Sequence, residues 1–316
     1  MSGEGASRAA IESHYDVGVG FYSLWLDRHL TYSCALWASP GWPMADAVDD
    51  NLDAAQEAKL DLHARWAGAR PPAESAEWPV RRVLDVGCGW GSMLTHLVDH
   101  YGITDGTGLT LSTDQASHVA AAGRCQIKVL LCDWRDHQPN APYDGIVSIG
   151  AFEHFARSDL DPVQRRGVYE QFFARSWRWL RPGGRLSLQS IAMEDETGGD
   201  GPLTEFLSRD VFPESALPRL ADIVTAADRW FRIVAVRSDA RHYEHTLHLW
   251  QRRLEASKGT AIELVGRETY RHYLRYLRVC RAMFDRGTCT LYRLAMLRRD
   301  DPSRLDGALG QRAASR

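Results

Sequence analysis

No apolar run in the sequence approaches the roughly 18 residues that a membrane-spanning helix needs, so no transmembrane segment is predicted. The first residues, MSGEGASRAA, lack the apolar stretch of a signal peptide, and the protein is expected in the cytoplasm. Cysteine is scarce: residues 34, 88, 125, 132, 280 and 289, with no CxxC pair and no Cys/His group at zinc spacing. No metal site is expected from them, and in a reducing compartment they read as buried thiols. An excess of one charge is missing too. The net charge of -3 argues against general nucleic-acid binding, and no nucleic-acid-binding module is visible. Internal repeats are absent. What is left, 44% hydrophobic and 25% charged, is the composition of an ordinary globular protein with enough apolar material for a large core.

The chain changes character along its length. Residues 14–43 are dense in Tyr, Trp and Phe. A helix is predicted over about 45–67, with Leu52, Ala55, Leu60 and Leu62 toward a core and Asp, Glu and Lys outside. ARPPAESAEWP (69–79) reads as a loop. Strands then alternate with helices. The predicted strands are 81–87, the short strand in GTGLTLS, 126–133, 143–150 and 185–193; the helices between them include 92–101 and about 162–180, the last ended by RPGG. This pattern predicts an α/β fold built on a doubly wound, mostly parallel sheet, with ligands outside the carboxyl ends of its strands. IVSIGAFEHF (146–155) runs apolar to the end of such a strand and then presents Glu153 and His154.

VLDVGCGWG (83–91) joins a strand to a helix through Gly87, Gly89 and Gly91. Glycines let the backbone turn tightly and approach a ligand beside a helix N-terminus. The spacing is GxGxG rather than GxGxxG, and Asp85 sits in the strand end. That combination favours S-adenosylmethionine over a nicotinamide dinucleotide, with a ligand-free turn as the bland alternative.

With this motif in place, the chain resembles the cyclopropane fatty acid synthase family, which includes the mycolic acid cyclopropane synthases. The resemblance runs from about residue 11 to about 298. It is carried by HYDVGVGFYSLWLD, TYSCALW, AQEAKLDL, LDVGCGWG, GLTLSTDQ, YDGIVSIGAFEHF, LRPGGRLSLQSI, HYEHTLHLW and YLRVCRAMFDRGT. It implies a Rossmann-like class I methyltransferase with helical N-terminal and inserted cap segments. The division it implies is an N-terminal cap (1–70), a cofactor-binding core (71–194), a cap insertion with the last sheet strands (195–300) and a disordered tail (301–316). S-adenosylmethionine would touch Tyr32, Ser33, Asp85, Gly87, Cys88, Gly89, Gly91, Thr110, Leu111, Gln115, Trp134 and Arg135. Trp134 also reads, from its type alone, as an indole for adenine or as core packing.

The implied reaction is attack of a substrate alkene on the activated methyl group. The resulting carbocation then loses a proton to give a cyclopropane or a methylated alkene, or adds water. Such chemistry needs a dry pocket, aromatic faces and one placed base. Tyr15, Phe21 and Tyr22 are expected in the substrate pocket, with core packing as the alternative. In the family the base is a bicarbonate held by a cysteine, a glutamate, a histidine and a tyrosine. By the resemblance these are Cys34, Glu153 and Tyr243, while the histidine position holds Gln189. Glutamine donates a hydrogen bond but carries neither proton nor charge, so Glu153 is the alternative direct base. His154 and Cys280 read as structural.

Two further departures concern the substrate. Where synthases read IFPGG and then LPS, this chain has VFPESALPRL (211–220), and it lacks the long N-terminal extension of synthases acting on bilayer phospholipids. Arg267, Arg271, Arg275 and Arg278 form one stripe that reads as a solvated face or as a site for an acidic carrier protein or a diphosphate. Three readings follow. The first is a C-methyltransferase or cyclopropane synthase on an unsaturated acyl chain, in a lipid or on an acyl carrier protein. The second is a C-methyltransferase on a small alkene such as an isoprenoid diphosphate or polyketide. The third is a non-catalytic S-adenosylmethionine-binding scaffold. The oligomeric state is left open by the sequence.

Overall fold

The computed structural model describes residue 5 and residues 17–37, 51–74, 80–194 and 214–300. The elements in chain order are α1 (Val19–Tyr22), α2 (Leu52–Trp66), β1 (Arg82–Val86), α3 (Ser92–Tyr101), β2 (Asp105–Thr110), α4 (Thr113–Ala121), β3 (Ile127–Leu131) and β4 (Tyr143–Ile149). Then come α5 (Pro162–Trp179), β5 (Leu180–Met193), α6 (Leu220–Ala227), β6 (Phe231–Ser238), α7 (Ala240–Ala256), α8 (Lys258–Asp285) and β7 (Cys289–Arg298). Tyr15 and the 301–316 tail lie outside the described residues.

One seven-stranded sheet has the order β3-β2-β1-β4-β5-β7-β6. β1 to β5 pair in parallel, whereas β7 runs antiparallel between β5 and β6. The chain order reverses between β1 and β4, so a crevice opens at their carboxyl ends. Strand periodicity assigns the two faces. Leu84, Val86, Ile146, Leu186 and Leu188 pack toward Phe172 and Phe173 of α5 and Ile223 of α6. Val83 and Val147 pack on the other face with Leu60 and Ala64 of α2 and Met93 and Leu97 of α3. Asp85 shares the side of β1 that Val83 presents to α2.

Local chemistry sets the helix ends. Asn51 caps α2 by accepting from the Ala54 N–H at 3.1 Å, and Asp161 with Gln164 forms a reciprocal capping box on α5, with Pro162 at its first position. α2 begins at Leu52 rather than near 45, residues 45–50 lying outside those described. Its faces also differ from expectation. Leu62 is only half-buried, while Gln56, Lys59 and His63 are fully buried. Lysine was expected outside; the α2 face toward β1 and β5 carries polar groups that meet buried polar partners.

The aromatic segment packs against α7 and α8. Phe21 and Tyr22, expected in a substrate pocket, are 1% and 0% exposed among Trp25, Tyr32, Trp250 and Tyr273, and they line neither cavity described below. The Tyr22 and Tyr273 hydroxyls meet at 3.0 Å. Mutual edge contacts between rings accompany the burial of these side chains, which pack as core. Cys280 is packed in the same cluster.

Candidate active site

A cavity opens at the β1/β4 crevice. The strand β1 delivers Asp85 and then the turn Gly87–Gly91, whose three glycines have φ of 82°, 53° and 83°. Neighbours enforce two of them: a Cβ at Gly87 would lie 2.3 Å from the Ala151 Cβ, and one at Gly91 2.7 Å from a Val119 methyl. A Cβ at Gly89 would meet no protein atom within 4 Å, so that peptide is the one left bare beside the cavity. Gly91 itself precedes α3 and does not line the cavity.

The other sequence-predicted cofactor residues come together here: Tyr32, Ser33, Asp85, Gly87, Cys88, Gly89, Thr110, Leu111, Gln115, Trp134 and Arg135 all line it. The Thr110 hydroxyl donates to Gln115 Oε1 at 2.7 Å, which fixes the amide. Trp134 packs on Phe155 with centroids 5.2 Å apart, so it serves the core and still presents a face to the cavity. Arg135 is held by Asp133 through two hydrogen bonds of 2.9 and 2.6 Å. A cavity with an aromatic wall, a bare glycine peptide and a buried carboxylate suits a nucleoside-bearing sulfonium amino acid.

A second, smaller cavity adjoins it, with Tyr32, Ser33, Gly150 and His154 shared between the two. Its further walls are Glu153, Gln189, Ile191, Tyr243, Tyr276 and Leu291. Glu153 sits on a single 3-10 turn, Phe152–His154, directly after β4. Its Oε1 accepts from the Ile191 N–H at 2.7 Å, while its Oε2 is buried without a partner among the described residues. Burial pushes the carboxyl up to about 7, against the Ile191 hydrogen bond, which lowers it. Glu153 makes no ion pair with an arginine among the described residues, so a structural ion pair does not explain its burial.

The neighbours of Glu153 differ from the expected cluster in two ways. Gln189 lines the cavity, but its carbonyl is occupied: it accepts from Arg293 Nε at 2.7 Å and faces His63 Nε2 at 3.3 Å. Arg293 is fully buried, pairs with Asp239, and donates to the Ala35 carbonyl at 2.9 Å. Cys34 lies beside this arginine, its Sγ 3.4 Å from Nη2, and does not line the Glu153 cavity. Burial pushes its thiol up to about 12, so it is neutral and unreactive.

Sequence reasoning missed four residues. Lys59 lines the large cavity, His154 lines both, and Arg293 and His63 set the Gln189 amide. Helical pattern put Lys59 outside, and β-strand pattern gives no signal for a buried arginine such as Arg293. His154, read as structural, has its Nδ1 2.8 Å from Ser215 Oγ, and burial pushes it down to about 4. Ser215 thus turns one of the two departures in VFPESALPRL into a contact of the site. Its neighbour Glu214 adopts φ 67°, a conformation suited to the glycine that synthases have in this segment. Of the arginine stripe, Arg278 pairs with Glu255 at 2.7 Å, and the shallow cavities that the stripe lines share no residue with the Glu153 cavity. No group of ligand-type side chains suited to a metal occurs among the described residues, and none of the described helices is long and apolar enough to cross a membrane.

The sheet order, the glycine turn at the β1/β4 crevice and the acid beyond β4 define a class I S-adenosylmethionine-dependent methyltransferase. The family described as mycolic acid cyclopropane synthetase matches residues 4–294. The chain is 34% identical to cyclopropane mycolic acid synthase 2 of Mycobacterium leprae, over 88% of this chain and 90% of that one. It is 35% identical to cyclopropane mycolic acid synthase 1 of Mycobacterium tuberculosis, over 88% and 93%. Among solved structures, a cyclopropane synthase of Mycobacterium tuberculosis superposes with a TM-score of 0.79 at 29% identity, covering 93% of this chain and 99% of that one. A mycolic acid cyclopropane synthase complexed with SAH and CTAB gives 0.78 at 32% identity, with the same coverage. The chain belongs to the mycolic acid cyclopropane synthetase family.

Proposed function

We propose that the enzyme methylates or cyclopropanates the alkene of an unsaturated acyl chain, presented in a lipid or on an acyl carrier protein. The observation that carries this reading is Glu153 Oε2: a buried carboxylate oxygen, unpartnered among the described residues, in a cavity whose walls include Tyr32, Tyr243, Tyr276, Ile191 and Leu291 beside the uncharged polar Ser33 and Gln189 and His154. No lysine or arginine lines that cavity among the described residues, which favours an uncharged alkene over an isoprenoid diphosphate. A relative crystallised with the detergent CTAB supports an alkyl chain as the occupant. Six free cysteines accord with a cytoplasmic setting.

When bound, S-adenosylmethionine supplies a methyl group on a sulfonium, activated toward the weakly nucleophilic alkene. Trp134, Leu111, Gln115 and the Gly87–Gly89 turn are the residues proposed to hold it, with Cys88, Thr110 and Arg135 beside them. The aromatic walls exclude water and tolerate the positive charge that develops on the substrate. Glu153 takes the proton, at Oε2, that the methylated substrate must lose; abstraction from the new methyl closes a ring, and abstraction from a neighbouring carbon leaves a methylated alkene. A carboxyl held near 7 is matched to that task.

Bicarbonate is the alternative base. It would sit beside Glu153 with the Ile191 N–H already taken, leaving the amide nitrogen of Gln189, whose carbonyl faces Arg293, as a donor to it. With no lysine or arginine on the cavity wall among the described residues, a bicarbonate and an ionised Glu153 repel, so Glu153 is the preferred base. Residues 1–70 and the segment 195–300 are proposed to cap the site. The test is incubation with isotopically labelled S-adenosylmethionine and unsaturated acyl lipids, with products read by mass spectrometry. Label in an acyl chain, at unchanged rate after bicarbonate is stripped, is expected. Label only in a heteroatom acceptor, a polyketide or an isoprenoid diphosphate would overturn the substrate assignment, and a rate restored by added bicarbonate would overturn Glu153 as direct base.

A further inference from the structure

Lys59 is an anomaly in α2. It is fully buried, its Nζ donates to Ser33 Oγ at 2.9 Å, and it forms no ion pair among the described residues. One hydrogen bond leaves two N–H groups of an ammonium unmatched, and buried cations are normally paired. Across the same cavity stands Asp85, 2% exposed, whose carboxylate makes no hydrogen bond among the described residues. Both reach the lining of one cavity because Val83, two residues before Asp85 on β1, packs against Leu60 and Ala64 of α2. Burial pushes Lys59 down to about 7, opposed first by the charge of buried Asp27 and more weakly by that of Asp85, and burial pushes Asp85 up to about 7, opposed by Lys59 without a direct bond.

Two opposite charges, both buried and both lining one cavity, match a ligand that carries a carboxylate and an ammonium on neighbouring atoms. We propose that Lys59 is the counter-charge for the α-carboxylate of the amino-acid end of S-adenosylmethionine, with Asp85 receiving its α-ammonium. Ser33, which accepts from Lys59, keeps its own O–H free to donate to the same carboxylate. The glycine turn then serves as the bare peptide between them, and Lys59, supplied by the helix before the strand, completes a clamp that the glycine motif alone does not contain. This inference rests on the cofactor reading and adds to it a specific charge.

Calorimetry separates the two. Three probes are titrated into the full-length protein: S-adenosylhomocysteine, its α-carboxamide, and 5′-methylthioadenosine, which lacks the amino-acid end. The wild type is expected to bind S-adenosylhomocysteine at least about tenfold more tightly than the carboxamide, the scale of one buried charge-assisted contact. Lys59→Met should lose that preference and leave the 5′-methylthioadenosine affinity unchanged. Equal binding of acid and amide by the wild type would overturn the proposal without any variant, so a Lys59→Met protein that fails to fold does not rescue it. Weakening of 5′-methylthioadenosine as large as that of S-adenosylhomocysteine would make Lys59 a support of the pocket and also overturn it. Wild-type protein that binds neither nucleoside would remove the cofactor reading itself, and the clamp with it.

Discussion

Replacing Glu153 by glutamine separates the chemistry of this carboxyl from its cost to the fold. The side chain is 2% exposed, and burial moves it from an ordinary 4.5 up to about 7. Below pH 4.5 the group is protonated in folded and unfolded chains alike. As pH rises from there toward 7 the unfolded chain releases the proton and the folded chain keeps it, so stability falls over that window and stays low above it. At about 1.4 kcal/mol per pH unit the deficit at pH 8 is about 3 kcal/mol. Glutamine has no such proton. Its Oε1 still accepts from the Ile191 N–H, while its amide nitrogen inherits the unpartnered place of Oε2, at a pH-independent cost of about 1 kcal/mol. Glu153→Gln is therefore expected to be slightly less stable than the wild type near pH 4.5 and about 2 kcal/mol more stable at pH 8. At about 2 °C per kcal/mol, the difference in Tm swings by about 6 °C between the two conditions. Product formation should fall at least about a hundredfold, the usual scale for a lost general base, with S-adenosylhomocysteine affinity intact. Scanning calorimetry across pH and labelled-methyl turnover check the two arms. A Tm difference that does not change with pH refutes the burial reasoning, and near-normal turnover refutes the base.

The glycine turn and the buried arginine offer two further checks. Gly87→Ala combines a φ of 82° with a Cβ 2.3 Å from that of Ala151, two residues before Glu153; about 3 kcal/mol should be lost in chemical denaturation, together with cofactor affinity. Gly89→Ala, with no protein atom within 4 Å of its new Cβ, should cost only about 1 kcal/mol of strain, and a loss as large as at Gly87 would contradict the packing argument. Arg293→Met leaves Asp239 buried with Arg237 and His242 beside it and strips donors from the Gln189 and Ala35 carbonyls. About 3–5 kcal/mol of stability should go, and urea unfolding with an unchanged midpoint would show that the pair is dispensable.

Much of the site was legible before any fold was known, for a physical reason. A glycine turn after an apolar strand is a local demand of the backbone, and alternating strands and helices of these lengths leave few topologies. Glu153 was legible because an apolar strand ending in an acid places it where parallel sheets bind ligands. Phe21 and Tyr22 were not: a sequence shows that rings are dense, but not whether they face a pocket or one another. Cys34 was expected in the cluster by resemblance, and the thiol instead lies against Arg293, from a strand 259 residues further along.

The sequence by itself determined the parallel sheet, the cofactor turn and the acid beyond the fourth strand, since each follows from near-neighbour patterns. Only the tertiary structure decided which charges are inside. Lys59, His63 and Arg293 sit on elements whose patterns place polar residues outward or say nothing of them. Lys59 and His63 are buried where helix α2 packs on the sheet against Ser33, Ser187 and Gln189, and Arg293 on β7 is buried against Asp239, Gln189 and Ala35; long-range pairing of that kind has no local signature.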